Sequence, residues 1–118
     1  MNLKDQLHMN AVLDKAREVY GNNNQIMVCI EELNELACVL AKFPRYDSEQ
    51  MAREDLHQKA LDEVADVEII LNHVKAIMNI SQTELELRKL AKVARVERWL
   101  NSSSSMQQTI EDRTVETN

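Results

Sequence analysis

Glycine and proline are almost absent from this chain, and that limits the folds open to it. Its 118 residues include one Gly, one Pro and four aromatic side chains. A β-sheet protein needs more turn-forming residues, and more β-branched or aromatic residues, than this. Leu, Ala, Glu, Lys, Met and Gln dominate the sequence, and these are good helix formers. The composition therefore predicts an all-α fold of one domain.

Apolar periodicity and local stop signals divide the chain into four main helices and a shorter one. The main helices are predicted at about residues 3–20, 25–42, 59–79 and 81–100. Gly21 and the asparagines that follow it end the first helix, and Pro44 interrupts the pattern after the second. A short polar helix capped by Ser48 comes next, and it either stands alone or runs into the third helix. Ser81 and Glu84 fit the capping-box pattern at the start of the fourth helix.

These helices predict a four-helix-type bundle with an extra short helix over residues 1–101. We expect the first helix to turn one apolar face inward, formed by Leu7, Val12, Leu13, Ala16 and Val19. Residues 102–118 begin with a serine-rich stretch typical of linkers and continue as a polar segment with little periodicity. We expect a disordered tail there, with an arm that contacts a partner as the alternative.

The charge balance and the short apolar runs exclude several classes of function. The chain has 20 acidic and 14 basic residues, for a formal net charge of −6, which disfavours nonspecific nucleic-acid binding. The longest apolar run, Leu36 to Ala41, is far too short to span a membrane, and the N-terminus has no apolar signal segment. We therefore expect a cytoplasmic protein with no nucleic-acid or membrane partner. Cys29 and Cys38 are expected to be buried, unbonded thiols.

Four acidic residues lie on helix lines that are otherwise apolar. They are Glu32 and Glu35 on the second predicted helix, and Glu63 and Asp66 on the third. The first pair interrupts a line that includes Val28 and Val39, and the second runs directly into Ile70 and Val74. The i, i+3 spacing places both acids of a pair on one helix face. Because an unpaired buried carboxylate is costly, these acids need either basic partners or a bound cation.

A hard divalent cation fits these acids better than basic partners do, since the lysines and arginines are not on the two lines. Mg²⁺ prefers oxygen ligands, keeps several of its waters and commonly bridges protein carboxylates to phosphate. Two antiparallel helices would present all four acids to one cleft. The sequence therefore predicts one divalent-metal site for Mg²⁺, which Mn²⁺ is able to replace.

A basic stripe on the fourth predicted helix is a second signal. Arg88, Lys92 and Arg95 follow i, i+4, i+7 spacing beside an apolar face. In a chain this acidic, the stripe indicates either a bound polyanion or salt bridges to acidic neighbouring helices. The spacing alone does not decide between the two.

Together these residues resemble the MazG-like all-α nucleoside triphosphate pyrophosphohydrolases. The resemblance covers about residues 12–100, and several stretches carry it. These are Tyr20-Gly21 and Gln25, then Glu31-Glu32-x-x-Glu35, the spacer 36–62, Glu63-x-x-Asp66, and finally Lys92-x-x-Arg95. Each stretch alone is weak, but the combination is fairly specific to the family.

The resemblance implies hydrolysis of a nucleoside triphosphate, (d)NTP, to the monophosphate and pyrophosphate. It implies that the Mg²⁺ ligands are Glu32, Glu35, Glu63 and Asp66. Glu31 and Glu35 would be catalytic, with Glu31 orienting or deprotonating the attacking water or contacting a further metal. Lys92 and Arg95 would hold the phosphates, and Gln25 would lie near the nucleotide. Family members are commonly dimers or tetramers, so a homo-oligomer is expected.

Other interpretations fit the residues less well. A carboxylate di-iron bundle uses two Glu-x-x-His motifs, and only Glu54-x-x-His57 is present. The histidines form no zinc constellation with the cysteines, and each is expected to be exposed or hydrogen-bonded. The alternative that stays open is a non-catalytic helical protein that retains the carboxylate site and binds a nucleotide or another protein. With so few aromatic residues, the sequence does not indicate which nucleobase or sugar is preferred.

Overall fold

The chain is all-α, as predicted. The computed structural model describes residues 1–44 and 53–117, with side chains up to residue 103. Four helices occur in these ranges: Leu3–Tyr20 (α1), Asn22–Leu40 (α2), Arg53–Ile77 (α3) and Gln82–Thr117 (α4). The described residues contain no strand. None of these helices is both long enough and apolar enough to cross a membrane.

A single residue, Gly21, separates α1 from α2. Its φ of 86° lies in the region that favours glycine. Its amide donates to the carbonyl of Arg17 at 2.9 Å, and its carbonyl accepts from the amide of Gln25 at 3.2 Å. Gly21 therefore both closes α1 and opens α2. The prediction that the following asparagines also belong to the break was wrong, because Asn22 already begins α2.

The ends of α2 and α3 differ modestly from the prediction. The second helix stops at Leu40, two residues before the predicted end, and Pro44 lies just beyond it. The third begins at Arg53, so residues 53–58 of the predicted short polar helix are its first turns. This agrees with the alternative that the short helix runs into the third. The predicted cap, Ser48, lies outside the described residues.

The junction between α3 and α4 confirms the predicted capping box. The Glu84 amide donates to Ser81 Oγ at 3.1 Å, and the Ser81 amide donates to Glu84 Oε2 at 3.0 Å. These hydrogen bonds, led by the one from the Ser81 backbone, lower the pKa of Glu84. Just before them, Asn79 has a φ of 55°, and the Ile80 amide donates to the Lys75 carbonyl at 2.8 Å. The last turn of α3 and the first turn of α4 are therefore both closed by local hydrogen bonds.

The fourth helix is longer than predicted. It runs to Thr117 instead of ending near Leu100, and so passes through the serine-rich stretch. No Gly or Pro follows Pro44 in the sequence, and serine carries only a small helix penalty. The chain divides into two compact units, Met1–Ile80 and Ser81–Asn118, and α4 belongs to the second.

In the first unit, α2 packs mainly against α3, and α1 contacts both. The buried residues of the described chain all lie in this unit: Leu13, Gln25, Cys29, Val39, Leu56, Val67, Ile70 and His73. Of the residues predicted to point inward from α1, Leu13 is buried and Ala16 half-buried, but the other three are exposed. Cys29 is buried as expected, whereas Cys38 is exposed, and both thiols are free. The three helices therefore cover only part of their own apolar surface.

Candidate metal centre

The contact between α2 and α3 forms the candidate site. Phe43, just after α2, lines a cavity with Leu56 and Ala60 near the start of α3, so the end of one helix meets the beginning of the next. The two helices therefore run antiparallel. In this arrangement the acids in the middle of α2 face those in the middle of α3. Their i, i+3 spacing turns both members of each pair toward the contact.

The four predicted acids form a single cluster. One carboxylate oxygen from each residue can be chosen so that all four lie within 4.8 Å of one another: Glu32, Glu35, Glu63 and Asp66. The prediction that these side chains meet in one place is confirmed. The resulting group of oxygens has the spacing needed to share one cation.

Burial divides the cluster into an inner and an outer pair. Glu32 and Glu63 are half-buried, while Glu35 and Asp66 are exposed. Each inner glutamate has one carboxylate oxygen, Oε2, that is shielded from solvent and has no hydrogen-bond partner. Shielded carboxylate oxygens without partners are unfavourable in a folded protein. The site therefore has an unmet requirement for positive charge or for protons.

The electrostatics of the inner pair agree with this requirement. Burial, followed by the negative charges of Glu35, Asp66 and Glu63, raises the pKa of Glu32. Burial, followed by Glu35 and Asp66, likewise raises the pKa of Glu63. All the charges that act on these two groups are negative, so the ionised cluster repels itself. A cation would relieve this repulsion without protonating the carboxylates.

The donor set fits a hard divalent cation. All four donors are carboxylate oxygens, which Mg²⁺ and Mn²⁺ accept readily and which soft metals do not select. The inner pair would bind from the protein side, while exposed Glu35 and Asp66 leave the solvent side open for water or a phosphate. This combination of shielded donors and an open side distinguishes the cluster from ordinary surface acids.

The other predicted site residues lie outside this cluster. Glu31 is exposed and one position from Glu32, so it points to another side of α2. Gln25 is 7% exposed and lies two turns before Glu32, on the buried line of the same helix. Burial of this kind leaves its amide little access to a ligand. Its assignment to the nucleotide stays a prediction.

The basic stripe lies on α4, in the second unit. Arg88, Lys92, Arg95 and Arg98 line a cavity of about 410 Å³ on this helix together with Ala91. Arg98 was not in the sequence prediction, although its i+3 spacing from Arg95 would have identified it. The predicted phosphate ligands Lys92 and Arg95 are neighbours on this exposed face because of their i, i+3 spacing. Their role toward a substrate is a prediction.

A second polar arrangement was not predicted. Arg17 of α1 donates from Nη1 to Nδ1 of His73 on α3 at 2.9 Å, and from Nη2 to the carboxylate of Asp14. His73 is only 2% exposed. The prediction that the histidines are exposed or hydrogen-bonded therefore holds for this one. Its i+3 spacing from Ile70, which is also buried, was a signal that it points inward.

The MazG-like resemblance rests on the acidic motifs, whose four metal-ligand candidates are now shown to meet, and on the basic stripe. Comparisons with protein-family models, with curated proteins and with solved structures find no match for this chain, so membership of the family stays a prediction.

Proposed function

We propose that this protein is a Mg²⁺-dependent nucleoside triphosphate pyrophosphohydrolase of the MazG-like type, which converts a (d)NTP to the (d)NMP and pyrophosphate. The observation that carries the proposal is the four-carboxylate cluster: one oxygen from each residue lies within 4.8 Å of the others, and Glu32 and Glu63 each have a shielded oxygen without a partner. Such a site is costly to the fold unless a cation or protons neutralise it. The resemblance of the motifs supplies the reaction.

Glu32, Glu35, Glu63 and Asp66 would hold the metal. Bound Mg²⁺ supplies neutralisation of phosphate charge and a lowered pKa for coordinated water. Phosphoryl transfer needs mainly this positioning and charge neutralisation, so no covalent nucleophile from the protein is required. The shielded oxygens of Glu32 and Glu63 suit a ligand role, since they have no other partner.

A carboxylate on the open side would accept a proton. Water attacks the α-phosphorus, the bond from that phosphorus to the bridging oxygen breaks, and pyrophosphate leaves with the electron pair. The proton of the attacking water passes to a general base, for which we propose Glu35 or Glu31, both exposed. Glu35 belongs to the cluster itself. Glu31 lies outside the cluster on another side of α2, and its proposed role, to orient the water or contact a further metal, comes from the resemblance alone.

Lys92 and Arg95 are proposed as ligands of the substrate phosphates. They share one cavity with two further arginines, and a cluster of this charge is a suitable receptor for a polyanion. Guanidinium groups bind phosphate oxygens in a two-pronged geometry that lysine does not offer. Gln25 is retained as a residue near the nucleotide, but its burial makes it the weakest member of the set.

We propose a cytoplasmic homo-oligomer, a dimer or tetramer. On α2, Ile30, Leu33 and Leu40 are 46%, 44% and 56% exposed, and they follow i, i+3, i+10 spacing along one side of the helix. An apolar stripe of this kind is typical of a helix that packs against another. A second copy of the chain is the partner that the resemblance supplies.

The test is turnover by the full chain. The protein is incubated with individual (d)NTPs and Mg²⁺, and pyrophosphate release is measured. We expect release with at least one nucleotide, and its loss in Glu35→Gln. Glu68→Gln, an exposed acid on the same helix as Glu63 but outside the cluster, should retain activity. Release unaffected by Glu35→Gln would refute the assigned site. Tight nucleotide binding without release would favour the non-catalytic alternative.

A further inference from the structure

A groove between α1 and the last turns of α3 has no role in the proposed reaction. It has a volume of about 390 Å³, within the range of small-ligand sites. The polar residues that line it are Asn10, Asp14, Arg17, Asn72, Lys75 and Asn79. All of them belong to the first unit, as does the acid cluster. The groove thus combines two cations, one acid and three amides.

The groove lies on a different side of α3 from the acid cluster. Lys75 follows Asp66 by nine residues, which corresponds to about 180° around the helix and about 13 Å along it. The amide side chain of Asn72 lies about 120° from the direction of Asp66 by the same count. A ligand in the groove would therefore not touch the four carboxylates. The two sites are separate.

The guanidinium of Arg17 is fixed in the groove wall. It donates to His73 Nδ1 at 2.9 Å and to the Asp14 carboxylate, and its side chain is 17% exposed. Because Nδ1 accepts this hydrogen bond, the His73 ring is neutral and contributes no charge. Burial, reinforced by the charge of Arg17, also lowers the pKa of His73. Arg17 is thus held in place by one neutral and one acidic partner.

The charge of the groove is incompletely balanced. Asp14 is the groove's acid, and its side chain is 70% exposed, so solvent screens its interaction with Arg17. Lys75 adds a second positive charge to the same lining. The groove has a net positive charge within a chain whose net charge is −6. Asn10 and Asn79 add amide N–H donors, which suit an oxyanion, whereas the Asn72 amide already donates to the Glu68 carbonyl at 3.3 Å.

We propose that this groove binds a small phosphoryl oxyanion, with Arg17 and Lys75 as its charged ligands. A positioned guanidinium, an ammonium and several amides are the groups that recognise phosphate oxygens in proteins. The ligand is either a free phosphate or pyrophosphate, or the terminal phosphate of a nucleotide. The proposal goes beyond the hydrolytic function and does not depend on it.

The experiment is an NMR titration of the full chain in EDTA, which keeps divalent metal from the acid cluster. Inorganic phosphate, pyrophosphate and a nucleoside monophosphate are added separately. We expect pyrophosphate or phosphate to shift the amide signals of residues 10–17 and 72–80, with saturation. A response to the nucleotide alone would assign the groove to nucleotide phosphate. Two results would overturn the proposal. One is a set of shifts confined to residues 88–98, and the other is the absence of a saturable shift in the groove up to about 10 mM of each anion.

Variants separate the groove from other basic surfaces. Lys75→Gln should weaken binding about tenfold, the effect of losing one charge-assisted contact. Lys15→Gln, an exposed α1 lysine paired with Glu18, should leave the affinity unchanged. Arg17→Lys keeps the positive charge but loses the paired N–H donors of the guanidinium, and it should also weaken binding. Equal affinity of Lys75→Gln and wild type would overturn the assignment even if Arg17→Lys fails to fold.

Discussion

Replacing Glu32 by Gln should stabilise the metal-free protein and abolish its response to Mg²⁺. In the metal-free state, Glu32 faces three other carboxylates with oxygens within 4.8 Å. At this separation two unit charges repel by about 1 kcal/mol in bulk water, and salt near 0.15 M removes about half of that. Loss of three such pairs should stabilise the fold by about 1 to 1.5 kcal/mol. For a unit of this size, that raises the melting temperature by about 5–10 °C.

The assay is thermal unfolding followed by circular dichroism, in EDTA and again in millimolar Mg²⁺. Wild type should melt higher in Mg²⁺, because the cation binds the native state preferentially. Glu32→Gln should melt above wild type in EDTA and gain little from Mg²⁺. The control Glu68→Gln should follow wild type in both conditions. A Glu32→Gln protein that is less stable in EDTA, yet still stabilised by Mg²⁺, would refute the repulsive, cation-binding cluster.

The remaining predictions concern pH, capping and assembly. The pKa values of Glu32 and Glu63 are raised in the folded protein, so their contribution to metal-free stability is present below the unfolded pKa of 4.5 and is lost as pH rises through the folded pKa. The Mg²⁺-induced rise in melting temperature should grow over the same pH range. Thermal melts at several pH values would show this. The pKa of His73 is lowered in the folded protein, so its contribution to stability is present above pH 6.5 and is lost as pH falls through the folded pKa. The substitution His73→Gln should therefore flatten this part of the curve of stability against pH. Ser81→Ala should cost about 1 kcal/mol in denaturant unfolding through loss of the cap. Leu33→Glu should reduce the mass measured by light scattering if the α2 stripe is an oligomer contact, and an unchanged mass would exclude it.

Features set by neighbouring residues could be predicted from the sequence. The limits of α1 follow from apolar periodicity and Gly21, and the start of α4 follows from the reciprocal bonds of Ser81 and Glu84. The acid cluster was predictable for a related reason. Its residues interrupt two apolar lines, and two contacting helices of opposite direction bring such lines together.

Features that depend on tertiary packing or on weak local signals could not be predicted in the same way. Leu7 and Val19 have the spacing of core residues, but they are 58% exposed because neighbouring helices do not reach them. The continuation of α4 past Leu100 reflects the absence of a strong stop signal, since serine neither ends nor favours a helix decisively. The bond between Arg17 and His73 joins residues far apart in sequence, and neither has a motif that indicates the other.

The inward-facing side of α3 carries a polar group in each half of the helix, and the hydrogen-bonding needs of the two groups are met differently. Toward its start, Glu63 has a shielded oxygen that no protein group satisfies, whereas toward its end the buried ring of His73 accepts a hydrogen bond from Arg17. The second arrangement is completed by the fold itself, but the first still needs a bound cation or a proton. Stabilising a fold would favour an apolar residue or a partnered one at position 63. The unpartnered acid is therefore best explained by binding, and the contact between α2 and α3 should be tighter with a cation present than without it.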